Sequence, residues 1–147
     1  MVPMTNATHS RTPPVTDPRP ALDQAFETAA AVISGVRAEH LDLPTPCDQM
    51  TVSDLLGHLM MVAERIHSAA EGTDPSEWST SEPDLDLDER APEFRAAGRA
   101  ATDAWARDQT LLERPTALPW TTLPGAGVVA IYVNELVLHT WDLTAAI

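Results

Sequence analysis

Glu135, His139 and Asp142 stand at i, i+4 and i+7, a spacing that puts all three on one face of a helix. Glu and His four residues apart point the same way, one turn apart. Both can therefore ligate a single ion, as paired histidines do in helical zinc motifs. Their neighbours on that face are Val128, Ile131, Tyr132, Leu138, Leu143 and Ala146, while the opposite side carries Val129, Val133, Leu136 and Val137. A helix apolar nearly all round is expected to be buried. Ionisable groups inside it are costly to desolvate unless they pair or bind a cation. A buried Glu–His hydrogen bond meets that demand as a metal does, so spacing alone leaves both readings open. Asp142 could accept from a ligating histidine or pair with an arginine.

A third ligand must come from another segment. His58 lies about two turns into an earlier helix, at the edge of its apolar stripe. His40 reads as a helix C-terminal residue favoured by the dipole, His67 as a surface or rim residue, and His9 as incidental. The single cysteine, Cys47, excludes an intramolecular disulfide and any Cys-rich zinc site. It sits in Thr45-Pro46-Cys47-Asp48, just ahead of a helix whose dipole could lower its pKa. The simpler reading is a small, half-buried loop residue. Trp141 is expected in the core or an interface.

Four helices must position these groups. Residues 1–18 are polar and proline-rich and read as a disordered tail. A helix is expected over 20–40, with Leu22, Phe26, Ala29, Ala30, Ile33 and Val36 at spacings of three and four. Pro44 and Pro46 forbid its continuation. The second helix starts at Thr51 and Asp54, which resemble a capping box, carries the stripe Val52, Leu55, Leu56, Leu59, Val62, Ala63 and Ile66, and stops at Gly72. An acidic connection with two prolines fills 73–88. A third helix is expected over 90–113, with Phe94, Ala97, Ala101, Ala104, Trp105 and Leu111 on its apolar side. A partly extended loop follows over 116–125, and a last helix runs from 126 to the end.

Together these suggest one all-α four-helix bundle over 19–147. Parallel neighbours need a link spanning the ~30 Å bundle length, which about 16 extended residues can reach. The 73–88 connection thus favours an up-down-down-up order. In that order His58 and His139 lie at similar depths, roughly 10–12 Å from one end of the bundle.

The bulk composition agrees and excludes several classes. The chain has 147 residues, 44% hydrophobic, with only six Gly, enough for a packed helical core. Its 22 acids against 9 bases give a formal charge of −13, which would repel a phosphate backbone, so no nucleic-acid partner is expected. All nine bases are Arg, a bias typical of high-GC genomes. No apolar run approaches the ~18–20 residues that cross a bilayer, and the first residues lack a signal-peptide core, so no membrane partner and a cytoplasmic location are expected.

The run Leu43-Pro44-Thr45-Pro46-Cys47, followed by Met50-Thr51-Val52 and Asp54-Leu55-Leu56-x-His58-Leu59, resembles the start of the second helix in the DinB-like, mycothiol-dependent maleylpyruvate isomerase N-terminal family. The ending Glu135-Leu136-x-x-His139-x-Trp141-Asp142-Leu143 resembles that family's last-helix signature, and the likeness spans about 20–147. The resemblance implies an up-down-down-up bundle and a divalent metal, usually zinc, held by His58, Glu135 and His139, with Ni2+ or Fe2+ as other candidates. It also implies mycothiol, a low-molecular-weight thiol, as cosubstrate.

Three protein ligands would leave a fourth position open, as catalytic zinc sites do. The metal would lower the pKa of an incoming thiol, and the thiolate would attack a small electrophile in a transferase or isomerase reaction. Tyr132 and Asp142 are candidates for supporting roles next to the ligands. Family members closest to this pattern continue past the last helix. A chain stopping at Ile147 is expected to leave Val133 and Val137 uncovered, which suggests either a homodimer or a shortened chain. The alternatives are a metal-binding domain without catalysis and a metal-free helical interaction module.

Overall fold

The computed structural model describes residues 16–147, so most of the expected N-terminal tail and His9 lie outside the described residues. The helices are α1 (Arg19–Ser34), α2 (Val52–Glu71), α3 (Leu87–Ala106) and α4 (Gly125–Ala146). Strands β1 (Pro115–Leu118) and β2 (Thr121–Pro124) form an antiparallel hairpin between α3 and α4, with Leu118 opposite Thr121. This is the partly extended loop expected there.

Three of the expected boundaries shift. α1 ends at Gly35 rather than near residue 40, and a 3₁₀ turn, Ala38–His40, follows it. His40 accordingly ends this short 3₁₀ turn and not α1. It is buried, and its Nδ1 accepts from the Arg37 amide at 3.1 Å. α3 starts earlier than residue 90, because Asp86 and Glu89 form a capping box. It also ends earlier than 113. The Asp108 side chain accepts from the Thr110 amide at 2.8 Å and begins a separate 3₁₀ turn, Gln109–Leu112.

Hydrogen bonds between helices fix the directions. Arg90, at the start of α3, donates to the Ser53 carbonyl at the start of α2, and Trp105 Nε1 donates to the Ile66 carbonyl near the opposite end at 2.9 Å. α2 and α3 are therefore parallel. Arg19 at the start of α1 reaches Gln109 beyond the end of α3, and Arg95 reaches Ser34 at the end of α1, so α1 and α3 are antiparallel. His58 near the start of α2 meets Glu135 midway along α4, and Arg114, ahead of the start of α4, donates to the Ala69 and Ala70 carbonyls at the end of α2, so these two are antiparallel as well. α1 packs on α3 and α4, and α2 packs on the same two. The order is up-down-down-up.

The core is the sum of the apolar stripes. Leu22, Phe26 and Ile33 of α1, Leu55, Leu59 and Ile66 of α2, and Phe94 and Trp105 of α3 are all buried. Burying a large apolar side chain contributes roughly 1.5–3 kcal/mol, and these residues dominate cohesion. α4 departs from expectation. Beyond Gly125 and Ala126 in its first turn, only its Val128, Val129, Tyr132, Leu136, Thr140 and Leu143 side is buried. Val137, Leu138 and Trp141 are more than half exposed, so Trp141 is not a core residue. The reason is geometric. In a four-helix ring each helix touches two neighbours, which leaves one side of α4 without a packing partner whatever its residue types. No helix among the described residues is long and apolar enough to cross a membrane.

Candidate metal centre

α2 begins where Thr51 accepts from the Asp54 amide at 3.2 Å and donates its own amide to the Asp54 carboxylate at 2.9 Å. This reciprocal cap satisfies otherwise orphaned helix donors and contributes about 1 kcal/mol. It sets the register that turns His58 toward α4. At the far end of α2, Gly72 closes the helix with φ 73°, a left-handed conformation suited to glycine. α4 is anchored at its start by the close approach of Gly125 to Leu111, whose carbonyl occupies the space a Cβ would take. The Gly125 amide donates to the Arg114 carbonyl at 3.0 Å.

With both helices fixed, His58, Glu135 and His139 converge. Glu135 Oε1 lies 3.2 Å from His58 Nε2 and 3.2 Å from His139 Nε2. The two rings meet edge to face, with centroids 4.7 Å apart and planes at 81°. Asp142 Oδ2 lies 3.1 Å from His139 Nδ1. The site is at the rim of the bundle. Glu135 is 38% exposed, whereas His58, His139 and Asp142 are only 15–19% exposed. That corrects the expectation of a fully buried helix face: the carboxylate opens to solvent while the imidazoles and Asp142 are mostly covered.

The donor set fits a divalent ion. Ligands at ~2.0–2.1 Å around a tetrahedral zinc stand about 3.3 Å apart; Glu135 Oε1 stands 3.2 Å from each imidazole nitrogen, and the three ligand atoms all lie within 4.8 Å of one another. Hydrogen-bond accounting points the same way. Asp142 can only accept when ionised, so it assigns the proton of neutral His139 to Nδ1. Nε2 then presents a lone pair to the Glu135 oxygen, and lone pair faces lone pair unless a proton or a cation intervenes. In the metal-free protein a proton can do so: the Glu135 hydrogen bond, more than the adjacent Asp142, raises His139 above its ordinary pKa. Reciprocally, hydrogen bonds from His139 and then His58 hold Glu135 far below the usual carboxylate range.

Other residues named from sequence have definite places. Tyr132 is buried one turn before the ligands, and desolvation pushes its pKa up to about 12, so its hydroxyl stays protonated. His67 is a rim residue, half exposed and 3.7 Å from Glu71. Cys47 is a half-buried loop residue, but its pKa is raised rather than lowered. Desolvation is the main cause, followed by the negative charges of Asp142, Glu135 and Asp48.

Sequence reasoning missed Arg65 and the position of Cys47. Arg65 lies two turns after His58 on the same face of α2, and its charge reaches the Tyr132 hydroxyl and partly offsets the burial there. Its Nε is buried without a partner. The interval of seven from His58 was the available signal. Cys47 approaches the end of α4 only because of how the loop folds, which no spacing encodes.

Residues 22–144 match the family described as the mycothiol maleylpyruvate isomerase N-terminal domain. Among curated proteins, the chain is similar to two uncharacterized proteins from two strains of Mycobacterium tuberculosis. Each is 29% identical over 132 residues, covering 88% of this chain and 67% of the relative. The capped second helix with His58, the Glu135–His139 pair on the last helix and the up-down-down-up bundle all lie within the matched span, and the chain belongs to the mycothiol maleylpyruvate isomerase N-terminal domain family.

Proposed function

We propose that this chain holds one divalent metal, zinc in the first instance, through His58, Glu135 and His139, and uses it to direct a low-molecular-weight thiol, mycothiol, at a small electrophile. Nickel or iron would suit the same nitrogen and oxygen donors. The observation that carries the reading is Glu135 Oε1 standing 3.2 Å from two imidazole nitrogens, one of which already has its partner nitrogen engaged by Asp142.

A bound metal supplies Lewis acidity that favours the thiolate form of a thiol at neutral pH. The protein's own groups do the rest. His58 and Glu135 set the direction of approach from opposite helices. Asp142 retains the proton on His139 Nδ1 and so keeps Nε2 free, a positioning role. Tyr132 keeps its hydroxyl proton, with its pKa pushed up to about 12, and can donate that proton or accept through the oxygen. The partial exposure of Glu135 favours access by a substrate over a closed structural site. A metal-binding domain without catalysis is the second reading, and the same half-open geometry argues against it.

The test is consumption of mycothiol in the presence of a panel of small electrophiles, maleylpyruvate among them. The reading expects loss of free thiol that a chelator abolishes and zinc restores. Metal-loaded protein that consumes no thiol with any member of the panel would reduce the site to metal binding alone.

A further inference from the structure

Beside the centre just described lies a second convergence of ligand-type side chains. Cys47, His139 and Asp142 each offer a ligand atom, and these atoms lie within 4.8 Å of one another, in half-buried positions. The loop that carries Cys47 is pinned. Pro44 and Thr51 form a bridge across its base, the Thr45 amide donates to the Met50 carbonyl at 3.1 Å, and the Met50 amide returns to the Cys47 carbonyl at 3.1 Å. Gln49 at φ 63° completes the turn. The thiol's own contact is a weak one to Met50 Sδ at 3.5 Å, so Sγ is not committed to a strong acceptor.

We infer that Cys47, His139 and Asp142 form a separate binding set for a thiophilic divalent cation, overlapping the first centre through His139. Donor softness and charge support the assignment. The first set offers two imidazoles and one carboxylate. The second offers a thiolate, an imidazole and a carboxylate, whose two negative charges balance a divalent ion. Thiolate ligands select soft and borderline ions over hard ones. Beyond that set, the carboxylates of Glu135 and Asp48 add further negative potential around Cys47 for a cation to neutralise. Because one imidazole serves both sets, they exclude each other: a thiophilic ion bound to the second withdraws His139 from the first. The inference shares His139 with the proposed function but does not depend on His58 or Glu135.

Cadmium titration of the full chain tests it, with the ultraviolet thiolate-to-cadmium charge-transfer band as readout. His58→Ala breaks the first set and leaves the second whole. The expected result is the band at about one equivalent in both wild type and His58→Ala, with at least about tenfold weaker cadmium binding and no band in Cys47→Ser. Zinc binding lost in His58→Ala while the cadmium band persists would show the two sets to be distinct. No band in either protein would overturn the inference. So would a band in wild type that vanishes in His58→Ala, since Cys47 would then be an added ligand of the first centre. Absence of zinc binding in wild type with the cadmium band retained would instead remove the proposed function and leave this set standing.

Discussion

At the end of the bundle where α2 finishes and α4 begins, the helix-end carbonyls are matched. Arg114 donates to the Ala69 and Ala70 carbonyls at 2.8 and 3.0 Å, satisfying acceptors that the helix end leaves free, and Trp105 donates to Ile66 from within the core. At the opposite end, where α2 begins and α4 finishes, the match is incomplete. Two imidazole nitrogens face one carboxylate oxygen, and a thiol and a second carboxylate stand close by. The same two helices thus carry a stapled end and an end whose facing donors a proton or a cation can bridge. Substitutions at the first should act on stability and at the second on metal binding.

The largest expected effect lies at the stapled end. Trp105→Ala removes a fully buried indole and its hydrogen bond, and should cost about 3–5 kcal/mol in urea denaturation while the folded fraction still binds metal. Loss of metal binding with stability intact would reverse the comparison. Next comes Asp142→Asn at the other end. It should weaken metal binding about 10–100-fold in competition with a chromophoric chelator and leave the denaturation midpoint of the metal-free protein nearly unchanged. A change under about twofold would show that His139 is oriented by packing alone. Thr51→Ala should lower stability by about 1 kcal/mol through loss of the α2 cap, with metal stoichiometry unchanged.

The smallest effect is a pH dependence of the metal-free protein. His139 is raised, so its contribution is complete below its ordinary value of about 6.5 and is lost as pH climbs through the folded value. Glu135 is depressed, so its contribution is present above about 4.5 and is lost only in stronger acid. The pair therefore supports the fold most between about pH 4.5 and 6.5. The stability advantage of wild type over Glu135→Gln should shrink from about pH 6 to about pH 8. Solvent screening at the half-exposed carboxylate keeps it small. An advantage that grows over that range would contradict the assignment of the proton between Glu135 and His139.

How far the sequence carried this account differs between elements for physical reasons. α2 was legible in full because its cap, its stripe and its terminal Gly72 are local signals that agree. The start of α3 was also encoded, in Asp86 and Glu89, but the acidic, proline-containing segment around them masked the box. The end of α3 turned on one side-chain bond from Asp108, which competes with helical continuation. Apolar residues all round α4 suggested burial. Hydrophobicity reports what a helix could bury, however, and not how many neighbours it will have. The Glu135–His139 pair was readable because helical geometry is periodic, and His58 because the long connection fixed the topology. Cys47 was not, since its approach to Asp142 depends on a loop turn at Gln49, a residue seldom found at positive φ.

The most direct test of the central claim is the metal content of purified protein, measured by mass spectrometry for wild type, His58→Ala and His139→Ala. The account predicts about one equivalent of divalent metal in wild type and loss of it in both variants, each still folded by circular dichroism. Wild-type protein that holds no metal even with zinc in excess, or variants that bind as wild type does, would contradict it.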